Sequence, residues 1–521
     1  MYLMSLDNLG YIIITLFFMG LFLVAYLFRR KNNNSDEFVG IIDDTPYLSI
    51  QLNLGIVEFT ILAVLGARFG FSGFYFAIVA IIIAYLFWVR YDSNDNQNSF
   101  VRYVHLKSSK IDSVNFKKIN LRHDGSSTVI DAKGVHHHLS TSLTSLGIFS
   151  IVLAGFQLVA YLGLICLSMI ITEKIFSALL GWSFANSILT ISGFVLVYSL
   201  IGGYKAIRIN KLISHAVILL VLVIALSIAY FKLGRLKILY DNLKHLAITQ
   251  GFPSNYYTDF NFSVNWLGII GMLFLGIVGL NILNNKVNSI RVAKFNSTNI
   301  ALKIIVAQLV VMCGVIAIGT SPATRNIDGR EVVTYQTQLP NGEIGYVVRS
   351  IADSPESSLK SSGAGMSVPD ASTSDAYTPG APVLGIIPLN INSKTNLVDP
   401  GMYNYILSGV VAVEHYLPKK LQFLVALMIL ALFITSLSQY LIRSSRVFIK
   451  DIVEPLDLFS KYGETGRLWL SRVVIGAMLF ISLSASYFMF PGFDLMIYIY
   501  ILLSIFLVPF FIILVILSAV K

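Results

Sequence analysis

Of the 521 residues, 55% are apolar and only 13% are charged, about half the charged share of a soluble domain. So few charges cannot clothe a water-facing surface, and the net charge of +10 is scattered over short connectors instead of gathered with aromatics on one face, which excludes a nucleic-acid binder. Charge-free stretches recur at the length of about 20 residues that a hydrocarbon slab requires, so the main partner is the lipid bilayer.

The first apolar stretch follows MYLMSLDNLG and is succeeded by Arg29, Arg30 and Lys31. A secretory signal has the opposite charge polarity, so this segment reads as a retained membrane helix. Windows of helical length then predict spans near residues 10–28, 48–68, 73–89, 144–172, 180–201, 212–232, 263–284, 300–319, 421–442, 468–490 and 494–520. The fold class expected is therefore an all-α polytopic membrane protein of about 11 helices. Placing the N-terminus outside puts RRK (29–31), GGYKAIRINK (202–211), NNKVNSIRVAK (284–294) and RSSRVFIKDIV (443–453) on the cytoplasmic side. The larger share of Lys and Arg then lies inside, as the positive-inside rule asks, and the C-terminus is cytoplasmic.

The second segment, LSIQLNLGIVEFTILAVLGAR, carries Asn53, Gly55, Glu58 and Thr60 at its middle. A carboxylate at the centre of a membrane helix costs about 2.5 to 3.5 kcal/mol, so Glu58 must face protein, water or a cation. Two connectors are long. The inner one, 90–143, is polar and basic and contains His136, His137 and His138, which lack nearby acidic or Cys partners and read as loop histidines. The outer one, 320–402, contains a stretch rich in Ser, Pro, Gly and Ala, which predicts a flexible loop. Cys166 and Cys313 lie inside apolar segments and are assigned to packing.

The seventh segment, SVNWLGIIGMLFLGIVGLNILNN, is rich in glycine and ends in Asn281, Asn284 and Asn285. If the first segment is accessory, the other ten divide into two sets of five, each opened by an interrupted helix. Corresponding interrupted helices in two halves point to a midplane site in transporters built from inverted repeats. The chain then reads as an accessory helix and linker (1–47), a first repeat (48–232) and a second repeat (263–521).

Three stretches carry a family resemblance: YSLIGGYKAIRINKLISHAVILL (198–220), NNKVNSIRVAK (284–294) and YLPKKLQFLVALMILALFITSLSQYLIRSSRVFIKDIV (416–453). In order and spacing they resemble the sodium:solute symporter family, over roughly residues 38–521. The resemblance implies a LeuT-like inverted-repeat core and cation-coupled symport of a small organic solute across the cytoplasmic membrane, by alternating access, with sodium or a proton as coupling ion and no other cofactor. It places a cation site at the carbonyls of Ile56, Phe59 and Leu432 and the hydroxyls of Thr435 and Ser436.

Where the family usually has an acidic residue in its fifth core helix, this chain has Lys211, whose charge opposes sodium; Glu58 is its natural counter-charge. The second core helix is apolar throughout, which disfavours a sugar. Glu58, Thr60, Gln157, Tyr161, Lys211 and Asn281 are the candidates for the cavity or for coupling. The alternative function is a membrane sensor or assembly subunit that keeps the symporter fold without transport. No protein partner is named by the sequence. An enzyme is not expected, since the adjacent Glu414 and His415 read as an interfacial helix rather than as a catalytic pair.

Overall fold

The computed structural model describes residues 7–29, 35–40, 54–91, 119–121, 127–130, 136–138, 145–183, 185–232, 236–249, 254–259, 293–319, 323–327, 330–338, 344–350, 389–391, 398–403, 407–453 and 463–489. The protein is a polytopic helical membrane protein. Among the described residues the apolar stretches Asn8–Phe28, Ala154–Ser177, Ala185–Phe231, Ile300–Gly319, Lys419–Val453 and Thr465–Phe488 are long enough to cross a bilayer. The expected spans at 263–284 and 494–520, and with the former Asn281, lie outside the described residues.

The helices in chain order are α1 (Asn8–Phe28), α2 (Ser35–Phe38), α3 (Ile56–Phe69), α4 (Ser72–Tyr91), α5 (Ser145–Leu180), α6 (Thr190–Lys232), α7 (Leu236–Thr249), α8 (Ala293–Gly319), α9 (Ser408–Tyr416), α10 (Phe423–Val447) and α11 (Gly463–Met489). The fifth and sixth expected spans are both in α6, which turns at Gly203, whose φ of 55° is left-handed and suits a residue without a Cβ. That is the Gly-Gly of YSLIGGYKAIRINK, and its turn separates the two spans.

Helix α10 sits at the centre, and residues 425–442 are buried without interruption. It packs on α5, α6, α11 and α3. Helix α1 lies outside the core against α6: Ala25 meets the face that Gly202 leaves bare, the Phe18 and Phe194 rings meet edge to face at 4.5 Å, and Asn210 donates to the Leu21 carbonyl at 3.3 Å. Its other face exposes Leu16, Met19 and Leu23, as a lipid-facing helix does. Beneath the Gly203 turn, α2 tucks in: Phe38 is fully buried under the Arg472 guanidinium, 5.5 Å from its ring, and Glu37 pairs with Lys205 at 3.9 Å.

The free thiols Cys166 and Cys313 are both buried. Among the described residues, strands occur in the two long connectors. In the inner one, β1 (Ile119–Leu121), β2 (Ser127–Ile130) and β3 (His136–His138) form an antiparallel sheet in that order. In the outer one, β4 (Ala323–Ile327), β5 (Arg330–Gln338) and β6 (Ile344–Ser350) form a second, and β7 (Leu389–Ile391) pairs with β8 (Val398–Tyr403). The reading of 320–402 as one flexible loop missed these strands: alternations such as EVVTYQTQ and IGYVVRS carry the β-branched and aromatic residues that pairing favours. The Ser/Pro/Gly/Ala stretch itself lies outside the described residues.

Candidate functional site

Helix α3 starts at Ile56, after Gly55 in an extended conformation with φ −109° and ψ 175°. A helix that starts inside a membrane protein presents bare amides, which need partners in a medium without water. Two side chains from distant spans supply them. The Leu54 amide donates to His215 Nε2 at 3.1 Å, and the Ile56 amide donates to Ser436 Oγ at 2.8 Å. Because Nε2 accepts, the His215 proton is on Nδ1, which donates to the Lys211 carbonyl at 2.6 Å. His215 is thus a neutral imidazole clamped between the start of α3 and α6. Ser436 Oγ also donates a hydrogen bond to the Leu432 carbonyl at 3.0 Å. Gly55 faces Ser436 so closely that a Cβ there would overlap the hydroxyl.

Ser436→Ala should therefore uncap α3 and cost about 1 kcal/mol; thermal unfolding in detergent measures it, and Ser436→Thr should retain most of the stability.

Glu58 lies one turn into α3 and is 2% exposed. Its carboxylate pairs with Lys303 Nζ of α8 at 3.5 Å. The sequence pointed to Lys211 as counter-charge. Lys303 is a partner it did not single out, and Lys211 also interacts electrostatically with Glu58, together with Lys303, Arg208 and Arg443. The charge centre is thus drawn from α3, α6, α8 and α10.

The helices α3 and α8 approach at two glycines. A Cβ on Gly66 would collide with the Val311 carbonyl, and one on Gly314 with the Ala63 carbonyl. Small residues at such a crossing let backbones touch, and Glu58 and Lys303 both precede these glycines along their helices.

Of the other sequence candidates, Thr60 donates to the Ile56 carbonyl at 2.8 Å, and Phe59 packs on Gly409 of α9. Both belong to the body of the helix, and the group that Ile56 turns towards α10 is its amide. Thr435 Oγ1 is buried without a hydrogen-bond partner among the described residues. Gln157 donates to the Tyr161 hydroxyl at 3.4 Å, and the Tyr161 ring faces Tyr440 of α10 at 6.3 Å. The structure therefore gathers Ile56, Glu58, Leu432, Ser436 and Lys211 around the start of α3, while Tyr161, with Gln157 beside it, meets α10 from α5.

Lys303, His215 and Arg443 were missed as site residues. The first had a signal, as a lysine within the first turn of the apolar span Ile300–Gly319, though weaker than a carboxylate at the middle of a span.

Helix α9 covers the first two turns of α3, with Gly409 against Ala63 and Phe59. Its Glu414 is buried and accepts a 2.6 Å bond from Gln422 Nε2. Burial pushes the carboxyl from 4.5 up to about 7, against the pull of that bond. The folded state holds the proton where the unfolded chain has released it. Stability should fall as pH rises from about 4.5 to about 7 and then level off. Hydrogen exchange of α9 at pH 5.5 and pH 8 reads this, and Glu414→Gln should flatten the difference.

No family model matches the chain, and no curated protein matches it. Among solved structures, a Na+-coupled sialic acid symporter in a substrate-bound outward-open state superposes with a TM-score of 0.57 at 14% identity, covering 93% of this chain and 82% of the other. That structure is described as revealing a novel Na+ site. By fold, then, the chain is a multi-pass helical membrane protein built like a Na+-coupled symporter.

Proposed function

We propose that the protein is a secondary active transporter that moves a small organic solute across the cytoplasmic membrane by alternating access, in symport with sodium or a proton. The observation that supports this most is the start of α3 at Gly55–Ile56, whose neighbouring amides are held by His215 and Ser436 beside the buried Glu58–Lys303 pair. A helix end placed inside the protein beside a charge centre is what inverted-repeat carriers use for solute and ion. On this reading the core is LeuT-like, the N-terminus is outside and the C-terminus is cytoplasmic.

For sodium, the ligands are Ile56, Phe59, Leu432, Thr435 and Ser436. Thr435 Oγ1 is the hydroxyl with spare capacity, whereas Ser436 would have to release the Ile56 amide or the Leu432 carbonyl. The Ile56 amide and the nearby ammonium groups oppose a bare cation, and the same ammonium groups hold Glu58 in its charged form, so the coupling ion, sodium or proton, is what the gradient experiment decides.

One charge moving down 100 mV releases about 2.3 kcal/mol, enough for roughly fifty-fold accumulation of a neutral solute at about 1.4 kcal/mol per decade. Uptake into proteoliposomes under imposed sodium or pH gradients tests the claim. Accumulation that follows one of the two gradients, and is lost in Glu58→Gln, is the expected result. Accumulation that ignores both gradients would remove the coupling, and no uptake of any solute would remove the transport.

A further inference from the structure

Helix α9 is nine residues long, far too short to cross a bilayer, yet each of its residues whose exposure is described is buried, Val410, Val413 and Glu414 among them. It packs on α8, α6, α3 and α10. At Gly409 it comes so close to Ala63 and Phe59 that a Cβ would overlap both, so it lies on the stretch of α3 that follows directly on Glu58. A segment placed there covers one approach to the start of α3.

The helix is fastened at its last turn. Leu417 and Pro418 are extended, with ψ of 136° and 146°, and the single turn Lys419–Leu421 leads into α10. Across that bend Gln422 Nε2 donates to Glu414 Oε1 at 2.6 Å. A carboxyl is a costly group to place there. It stands in the last turn of its helix, where the carbonyl ends disfavour a negative charge, and among the described residues no cation offsets it. Burial is what raises it to about 7, Gln422 pulls the other way, and no charged group of α3, α6, α8 or α10 contributes. The basic residues of the bend, Lys419 and Lys420, are exposed. Neutral Glu414 can stay in this setting, whereas the ionised carboxylate is drawn to water.

We infer that the Glu414–Gln422 contact is a proton-operated latch, which holds α9 down on α3 while Glu414 carries its proton and releases α9 into water when that proton leaves for the solvent. The carboxyl holds its proton more tightly latched than hydrated, so opening should rise about tenfold per pH unit from about 4.5 to about 7 and then level off. That the water in question is the outer one rests on the transport reading and its orientation. On that reading the outer pH sets how often this approach to the site is open, whichever ion is coupled.

The test uses the full chain in lipid vesicles with a reporter cysteine at Val413→Cys, and at Val410→Cys as a second reporter should the first destabilise the helix. The two positions are 1% and 0% exposed, and Cys166 and Cys313 are buried. A membrane-impermeant thiol reagent is applied from the outer face at pH 5.5 and at pH 8, with the same pH on both faces. Each rate is divided by that of Lys419→Cys, an exposed position, which removes the pH dependence of the thiol itself.

The ratio should rise tenfold or more between pH 5.5 and pH 8. Glu414→Gln, which keeps a neutral group in place, should hold it at the low value at both. A ratio that ignores pH, or a rise that survives in Glu414→Gln, would overturn the latch. The same Glu414-dependent rise met only from the inner face would leave the latch standing and overturn the orientation, and a rise in a chain that takes up no solute under any gradient would leave it standing and overturn the transport reading.

Discussion

Exchanging Glu58 for alanine is expected to cost the protein about 3 to 5 kcal/mol and to abolish solute uptake. The size follows from what is left behind. Lys303 is 12% exposed in its side chain and its ammonium has the Glu58 oxygen at 3.5 Å. Removing the carboxylate leaves a buried charge uncompensated, and breaking a buried pair from one side is far more damaging than the pair was ever stabilising. The double variant Glu58→Gln with Lys303→Gln should recover most of the stability, because two neutral groups of similar shape need no compensation. It should not recover uptake. Recovery of stability without activity would separate a structural pair from a working one, and a double variant as unstable as Glu58→Ala would show that the ion pair is not the source of the loss.

The second large effect is steric. Gly314→Val should reduce the yield of folded protein severely, and Gly66→Val should do the same, with Gly314→Ala intermediate. At each position the added carbon meets a backbone carbonyl, of Ala63 for Gly314 and of Val311 for Gly66, and backbone cannot swing aside as a flexible side chain can. Overpacking a tight contact costs about 1 to 3 kcal/mol when neighbours yield, and more when they do not. The damage should reach the site, because α3 carries Glu58 and α8 carries Lys303, so spreading the helices draws the pair apart. By contrast Gly193→Ala and Gly476→Ala, where nothing lies within 4 Å, should be silent. Monodispersity on size-exclusion chromatography after extraction reads all five. Normal behaviour of Gly314→Val would mean that the crossing is looser than described.

The sequence showed these features unevenly. The apolar windows located the spans because hydrocarbon thickness imposes a length on them. The turn at Gly203 was legible since few other residues accept a φ of 55°. The polar middle of the second span announced a site because a carboxylate there needs a reason. The point where α3 starts was not legible. The resemblance puts the expected carbonyls on Ile56 and Phe59, whereas the extended residue before the helix is Gly55. The start of α3 is decided by His215 and Ser436, 161 and 380 residues distant from their amide partners, and no local propensity encodes that.

Lys303 was overlooked for a different reason. A single lysine in ALKIIVAQLVVMCGVIAIG leaves the window strongly apolar, so averaging hides the one residue that carries the chemistry.

The central claim is that the crossing of α3 with α10 is open to each side of the membrane in turn. A cysteine at Thr435 tests it most directly, against a background in which Cys166 and Cys313 are buried. A membrane-impermeant thiol reagent is applied to the protein in vesicles, from the outer face and then from the inner face, with and without an imposed pH gradient. The account predicts modification from both faces, with the two rates moving in opposite directions when the gradient is reversed. A cysteine reached from one face alone, or from neither, under every gradient would contradict it.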